Sequence, residues 1–272
     1  MITSFDEKIV AKAQEIVEKA SSRGIILRII GAIGIYLHIK DTPEALNFYT
    51  STPRLSERQT LFTDIDLVAY SKQRKDVMNF FEKELKYSFN PRLQMIFGGK
   101  RLLYMDPHDG FKVDVFFDKL EFSHDVLFGS EPGKGRLELD YPTITPTDLL
   151  LEKLQIHNIN FKDIVDITAL LLSHEVGERQ EANVIDAKYI ASVLSDDWGF
   201  WYDAMENLKL VEQYAQGFLD KGVLSQHQLQ TIRSRINRIR EVVDATPKSK
   251  NWLKRAKDGT KKPWYREVEE YV

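Results

Sequence analysis

The sequence predicts an α/β domain with a mixed sheet, followed by an all-helical domain. Three observations carry this expectation. Before residue 142, short β-branched or alternating runs are interleaved with helical periodicities, whereas beyond Pro142 only helical periodicities remain. The 272 residues fit two domains more naturally than one or three. With 43% hydrophobic and 29% charged residues but only 14 Gly and 9 Pro, the composition excludes disordered and fibrous classes. The boundary is expected near 145, giving domains of 1–144 and 145–272.

The elements follow in order. Ser4 and Glu7 have the spacing of a capping box, and Ile9, Val10, Ala13, Ile16, Val17 and Ala20 continue at helical spacing up to Gly24. Ile25 to Ile30 reads as a short buried strand, and Gly31-Ala32-Ile33-Gly34 opens a helix through Ile39. Residues 41–60, with Pro43 and Pro53, read as a loop or extended insertion. Phe62 to Tyr70 is a strand. Ser71 caps a helix to about Tyr87 with Val77, Phe80, Phe81 and Leu85 on its apolar side. Leu93 to Phe97 and Arg101 to Met105 read as a hairpin around Gly98-Gly99. After the turn Asp106-Pro107-His108-Asp109-Gly110, Phe111, Val113, Val115 and Phe117 alternate with Lys112, Asp114, Phe116 and Asp118, the period of a half-buried strand. In the second half Thr145 with Pro146, Asn160, Ser195 and Ser225 are the expected helix starts.

Zero cysteines exclude a disulfide framework and a thiolate metal site. The first residues lack a signal-peptide layout, and the longest apolar stretch, Gly24 to Ile39, is interrupted by Arg28 and short for a span, so a cytoplasmic protein without a membrane partner is expected. A net charge of −3 offers no global attraction for nucleic acid. A local patch does exist: Lys248, Lys250, Lys254, Arg255, Lys257, Lys261 and Lys262 surround Trp252 and Trp264, after a helix bearing Arg233, Arg235, Arg238 and Arg240. Such a patch can hold a phosphate backbone and stack on bases, and it reads equally as a solvated basic tail.

The chemistry concentrates in Thr63-Asp64-Ile65-Asp66-Leu67. Two carboxylates two residues apart in a strand leave the same face, about 7 Å apart along the backbone. Mg²⁺ prefers hard oxygens and is commonly held by one or two carboxylates together with phosphate oxygens. Asp114, on the polar face of another strand, is the third metal-ligand candidate. Three carboxylates on one sheet face repel, and burying them uncompensated costs several kcal/mol, so bound cations are expected. Two Mg²⁺ ions would activate an attacking hydroxyl and steady a triphosphate. Taken alone, an Asp-x-Asp pair also fits a charged sheet edge.

Gly31-Ala32 opening a helix, Asp64-x-Asp66 in a strand and Asp114 in a later strand together resemble the DNA polymerase beta-like nucleotidyltransferase superfamily. Ile30-Gly31-Ala32-Ile33-Gly34 and Thr63-Asp64-Ile65-Asp66-Leu67 are most similar to the glycine and carboxylate motifs of its abortive-infection AbiEii toxin-like branch. Thr145-Pro146-Thr147-Asp148-Leu149-Leu150-Leu151-Glu152-Lys153-Leu154 is similar to that branch's lysine-bearing helix, and Lys162-Asp163-Ile164-Val165-Asp166-Ile167 to its basic-Asp-x-x-Asp helix. The resemblance spans roughly residues 25 to 172 and implies a nucleotidyltransferase-like fold. It implies catalysis by Asp64, Asp66, Asp114 and Lys153, nucleotide binding by Gly31, Ala32, Thr63, Lys153, Asp163 and Asp166, and metal binding by Asp64, Asp66 and Asp114. Lys153 would neutralise the triphosphate, and Asp163 or Asp166 would complete the site. Two departures stand out. Ala32 replaces a glycine or serine, which removes a hydroxyl yet permits close backbone approach. The basic residue that usually precedes the carboxylates is out of register, Arg58 lying six residues ahead of Asp64.

Other signals are excluded. Phe128 and Gly135 occupy the positions where a phosphate-binding loop around Gly133-Lys134 needs glycine and Ser or Thr. Gly31 and Gly34 lack dinucleotide-fingerprint spacing. His38, His157 and His174 have no zinc-ligand spacing. The resulting expectation is a Mg²⁺-dependent enzyme that transfers NMP from an NTP to an acceptor hydroxyl, with RNA such as tRNA as the leading acceptor and a cognate antitoxin as a protein partner. The alternatives are a small aminoglycoside-like or protein acceptor, or a non-catalytic nucleotide- or partner-binding module.

Overall fold

The computed structural model describes residues 2–52, 60–97, 99–181 and 183–267. Along the chain these form α1 (Ser4–Ser21), β1 (Leu27–Ile29), α2 (Gly31–Ile39), α3 (Pro43–Ser51), β2 (Asp64–Ala69), α4 (Arg74–Asn79), α5 (Pro91–Phe97), β3 (Arg101–Met105), β4 (Lys112–Phe117), β5 (Lys119–Glu121) and β6 (Asp125–Leu127). There follow α6 (Pro146–Leu154), α7 (Phe161–Ser173), β7 (Glu175–Gly177), β8 (Val184–Asp186), α8 (Ala187–Leu194), α9 (Trp198–Asp220), α10 (Gln226–Ala245) and α11 (Lys250–Ala256). They divide into two compact units, one within Met1–Leu37, Leu55–Leu120 and Leu127–Ile144, the other within His38–Arg54, Glu121–Val126 and Thr145–Val272.

The first unit is a mixed α/β assembly. Its sheet has the order β1-β2-β4-β3, with β2 and β4 parallel and both outer pairings antiparallel. Ile65, Leu67, Val113 and Val115 are fully buried, and α1 packs against β1 and β2 with the stripe expected from its periodicity. The cap of α1 lies one residue earlier than expected. Thr3 is the N-cap and Asp6, not Glu7, completes the box. The buried Asp6 carboxylate also accepts from Leu61 N at 2.7 Å, a tertiary bond that Glu7 is out of register to make. The helix expected from Ser71 to Tyr87 is broken into a 3₁₀ turn at Ser71–Gln73, then α4, then a π turn at Phe80–Glu84, which keeps Val77, Phe80 and Phe81 buried. Leu93–Phe97, expected as a hairpin strand, belongs to the helix α5. Asn90 accepts from Arg92 N at 2.9 Å and Pro91 takes the first helical position, so local capping overrides the β-like pattern. Gly98 of the expected turn lies outside the described residues.

The second unit is mainly helical. Residues 43–51, expected as loop, form α3: Pro43 occupies the first turn, where its missing N–H is harmless, and Ala45, Phe48 and Tyr49 are buried. Thr145 and Asn160 cap α6 and α7 as expected, through Asp148 N and Asp163 N. Helix α9 starts at Asp197, whose carboxylate accepts from Phe200 N, while Ser195 ends α8. The all-helical expectation for this half needs one correction, because β7 and β8 pair in parallel from Glu175↔Val184 to Gly177↔Asp186. Three-residue strands are too short for a period-two signal.

A buried carboxylate fastens this unit. Asp203, 3% exposed, is bonded through Oδ2 to His124 Nε2 at 2.7 Å and through Oδ1 to His157 Nδ1 at 2.9 Å; Oδ1 also accepts from Trp264 Nε1 at 2.9 Å. An ionised carboxylate only accepts, so both imidazoles present N–H to it. Burial opposes the charge, but the bonds from His124, Trp264 and His157 outweigh it and hold the Asp203 carboxyl below the ordinary carboxylate range. Gly199 is required here: a Cβ on it would meet the carbonyl oxygen of Trp264 at 2.5 Å.

Candidate active site

The parallel pairing of β2 and β4 sets Asp66 directly beside Asp114, their Cα atoms being register partners. Side chains of such partners leave the same face about 4.8 Å apart. Asp64 lies two residues earlier on β2, on that face, opposite Lys112. Three carboxylates from two distant segments are thus gathered by backbone pairing alone. Asp64 is exposed and accepts from Thr63 Oγ1 at 2.9 Å.

Gly31 completes the grouping. It joins β1 to α2 at φ +65°, while the amide of Ile30 donates to the Asp66 carbonyl at 3.0 Å. A Cβ at Gly31 would stand 2.8 Å from Asp66 Oδ2. Glycine is needed here for its conformation and for the space beside that carboxylate. Gly31→Ala is therefore expected to cost about 1–2 kcal/mol in stability from left-handed strain and to displace the Asp66 carboxylate. Thermal melting measures the first effect and a crystal structure of the variant the second.

Asp114 is not left to its acidic neighbours. Arg101 Nη1 donates to its Oδ2 at 3.0 Å, and the guanidinium carbon lies 5.6 Å from the Phe116 ring centre. Burial raises the Asp114 carboxyl to about 6; Asp64 adds to the rise, while Arg101 and Lys112 oppose it. Among the described residues, no group of three or more His, Cys, Asp or Glu side chains forms a ready metal-ligand set. Asp64 and Asp66 remain the pair suited to a hard cation, since Mg²⁺ needs only one or two carboxylates when phosphates supply further oxygens.

The second unit holds the other sequence-derived candidates. Lys153 on α6 reaches Asp163 Oδ1 at 3.0 Å and Asp166 Oδ2 at 3.1 Å on α7, with Glu152 Oε1 at 3.8 Å. Asp166 is fully buried, and the Lys153 and Asp163 side chains are nearly so. The structure brings these three together as an interhelical ion cluster, so one function of Lys153 is to balance the two aspartates. Arg58 lies outside the described residues. No helix among the described residues is long and apolar enough to cross a membrane.

The arginines of the helix that precedes the C-terminal basic patch are engaged internally. Arg233 donates to Gln216, Arg235 to the Leu171 carbonyl, Arg238 pairs with Glu178 and Glu241, and Arg240 pairs with Glu212. Trp252 packs edge-on against Trp201 at 5.1 Å, and Trp264 is committed to Asp203. These two rings serve packing in this arrangement.

No protein-family model matches the chain, and no curated protein matches its sequence. Among solved structures, it is similar to an antigenic nucleotidyltransferase-like protein from Paracoccidioides brasiliensis, with a TM-score of 0.38 and 14% identity over 91% of this chain and 96% of that one. A likeness of that degree assigns neither fold nor activity.

Sequence reasoning missed Arg101. The signal was present: folding the chain back at the Asp106–Gly110 turn pairs Arg101 with Phe116 and Leu103 with Asp114, which puts Arg101 diagonally across from Asp114. The hairpin expected within 93–105 pairs Arg101 elsewhere and so masks this neighbour.

Proposed function

We propose that the protein is a metal-dependent nucleotidyltransferase that moves NMP from an NTP to an acceptor hydroxyl, the new bond to the α-phosphorus forming as the bond to the β-phosphate breaks and pyrophosphate leaves. The observation that carries this reading is the parallel register of Asp66 and Asp114, with Asp64 on the same face and Gly31 opening a helix beside Asp66. The donor chemistry fits Mg²⁺ arriving with a triphosphate: Asp64 and Asp66 offer hard oxygens, and the helix that Gly31 opens offers its first backbone amides to a phosphate. When bound, Mg²⁺ supplies charge neutralisation and an acidified acceptor hydroxyl. Asp64 and Asp66 would hold and orient it, and Asp114 would accept the hydroxyl proton. The assignments of Ala32, Thr63, Lys153, Asp163 and Asp166 to nucleotide binding, of RNA as acceptor, and of an AbiEii-like toxin–antitoxin setting with a cognate antitoxin rest on the motif resemblance.

One observation favours a second reading, a non-catalytic nucleotide-binding module: the third carboxylate is already paired with Arg101. The two readings separate in one assay, transfer of label from each α-labelled NTP with Mg²⁺ into total tRNA by the wild-type chain and by Asp64→Ala. Label in RNA that disappears in the variant is the expected outcome. Metal-dependent NTP binding without transfer to RNA, small hydroxylated compounds or protein would establish the binding module instead.

A further inference from the structure

Arg101 is a positive group placed where a cation is wanted. It stands on the outer strand β3, its guanidinium is held between the ring of Phe116 and the carboxylate of Asp114, and both partners of the ion pair are only about a quarter exposed. Phe116 and Asp114 are alternate residues of β4 on one face, so a single strand supplies both the apolar support and the anion. A partly buried, charge-assisted bond of this kind is stronger than a surface ion pair. It occupies an oxygen of the one carboxylate that Asp64 and Asp66 need in order to form a three-carboxylate site.

We propose that Arg101 is a resident counter-cation that withholds Asp114 from metal binding until it is released. The inference rests on the nucleotidyltransferase reading of Asp64 and Asp66 and adds a control to it. In the nucleotide-free protein the site is a two-carboxylate site with a protein-supplied positive charge on the third. The Arg101–Asp114 bond must break before Asp114 serves as a ligand or base, and the freed guanidinium is then available to an anionic phosphate. Metal alone thus binds weakly, which restricts assembly of the complete site to the presence of the triphosphate.

The test is Mn²⁺ titration of the full-length chain without nucleotide, with free Mn²⁺ followed by electron paramagnetic resonance. Arg101→Gln is expected to tighten Mn²⁺ binding about tenfold, and Arg101→Lys, which keeps the charge but loses the planar fork, to fall between it and wild type. In an Asp114→Asn background, Arg101→Gln is expected to give no gain, because the effect passes through that carboxylate. Circular dichroism melts confirm that each variant is folded, and Arg101→Lys carries the comparison if Arg101→Gln is not. Unchanged or weaker binding in Arg101→Gln overturns the proposal, as does a gain that persists in Asp114→Asn, since long-range charge alone would explain it. If wild-type Mn²⁺ binding still depends on Asp66 in those cases, the nucleotidyltransferase reading stands. Absence of Asp66-dependent binding in every variant overturns both.

Discussion

Asp66→Asn is expected to lower nucleotidyl transfer about a thousandfold, the scale of losing a principal charge-stabilising group in a site of this type. Asp66 is the central member of the carboxylate row, flanked by Asp64 along its strand and Asp114 across the sheet, and it stands beside Gly31. Asparagine keeps the shape and one oxygen but removes the charge, so the loss should appear in metal affinity and turnover, while the fold persists. The melting temperature is expected to stay within about 4 °C of wild type, because removing one of several like charges relieves repulsion. Label transfer, Mn²⁺ titration and thermal melting of the same preparation check this. Full activity in Asp66→Asn would remove the basis of the proposed chemistry, and a large fall in melting temperature would make Asp66 a structural residue.

Asp203→Ala is expected to destabilise the second unit by about 3–5 kcal/mol, as when one member of a buried ionic network is removed. Three donors, on His124, His157 and Trp264, lose their acceptor together, and the first is buried at 3% exposure. The C-terminal segment should loosen as well, since Trp264 leads into Arg266, whose amide donates to Ser123 O at 3.0 Å and whose Nε donates to Phe122 O at 2.9 Å. Asp203→Asn keeps one acceptor and turns an NH₂ group toward a donor, so it should lose less than the alanine variant. Urea unfolding gives both values. The pH dependence has a definite sign. The Asp203 carboxyl is held lower in the folded chain than in the unfolded one, so its contribution is complete above about pH 4 and is lost as pH falls through the folded value. A wild-type unfolding curve that loses no more stability below pH 4 than Asp203→Ala would contradict the assignment.

What was readable before folding was whatever neighbouring residues decide among themselves. The stripe of α1, the alternation of β4, the strand–Gly31–helix turn and the caps Thr145, Asn160 and Ser225 all depend on contacts within a few positions, and all are present. The carboxylate row was legible for the same reason: Asp64 and Asp66 share a face by strand geometry, and Asp114 falls on the polar side of its own strand. Local pattern failed where two local signals competed or where a distant partner chose between them. Asn90-Pro91 makes a helix of a β-like run, the bond from Leu61 N goes with the α1 cap at Thr3 and Asp6, and Pro43 starts a helix where composition suggests a loop. Only the tertiary structure decided that β2 and β4 run parallel in the register Asp66↔Asp114, and that Arg101 pairs with Asp114. It likewise bound Lys153 to Asp163 and Asp166, and His124, His157 and Trp264 to one buried aspartate. The physical reason is common to these cases: periodicity determines which face a side chain leaves by, whereas its charge partner is set by long-range pairing and burial.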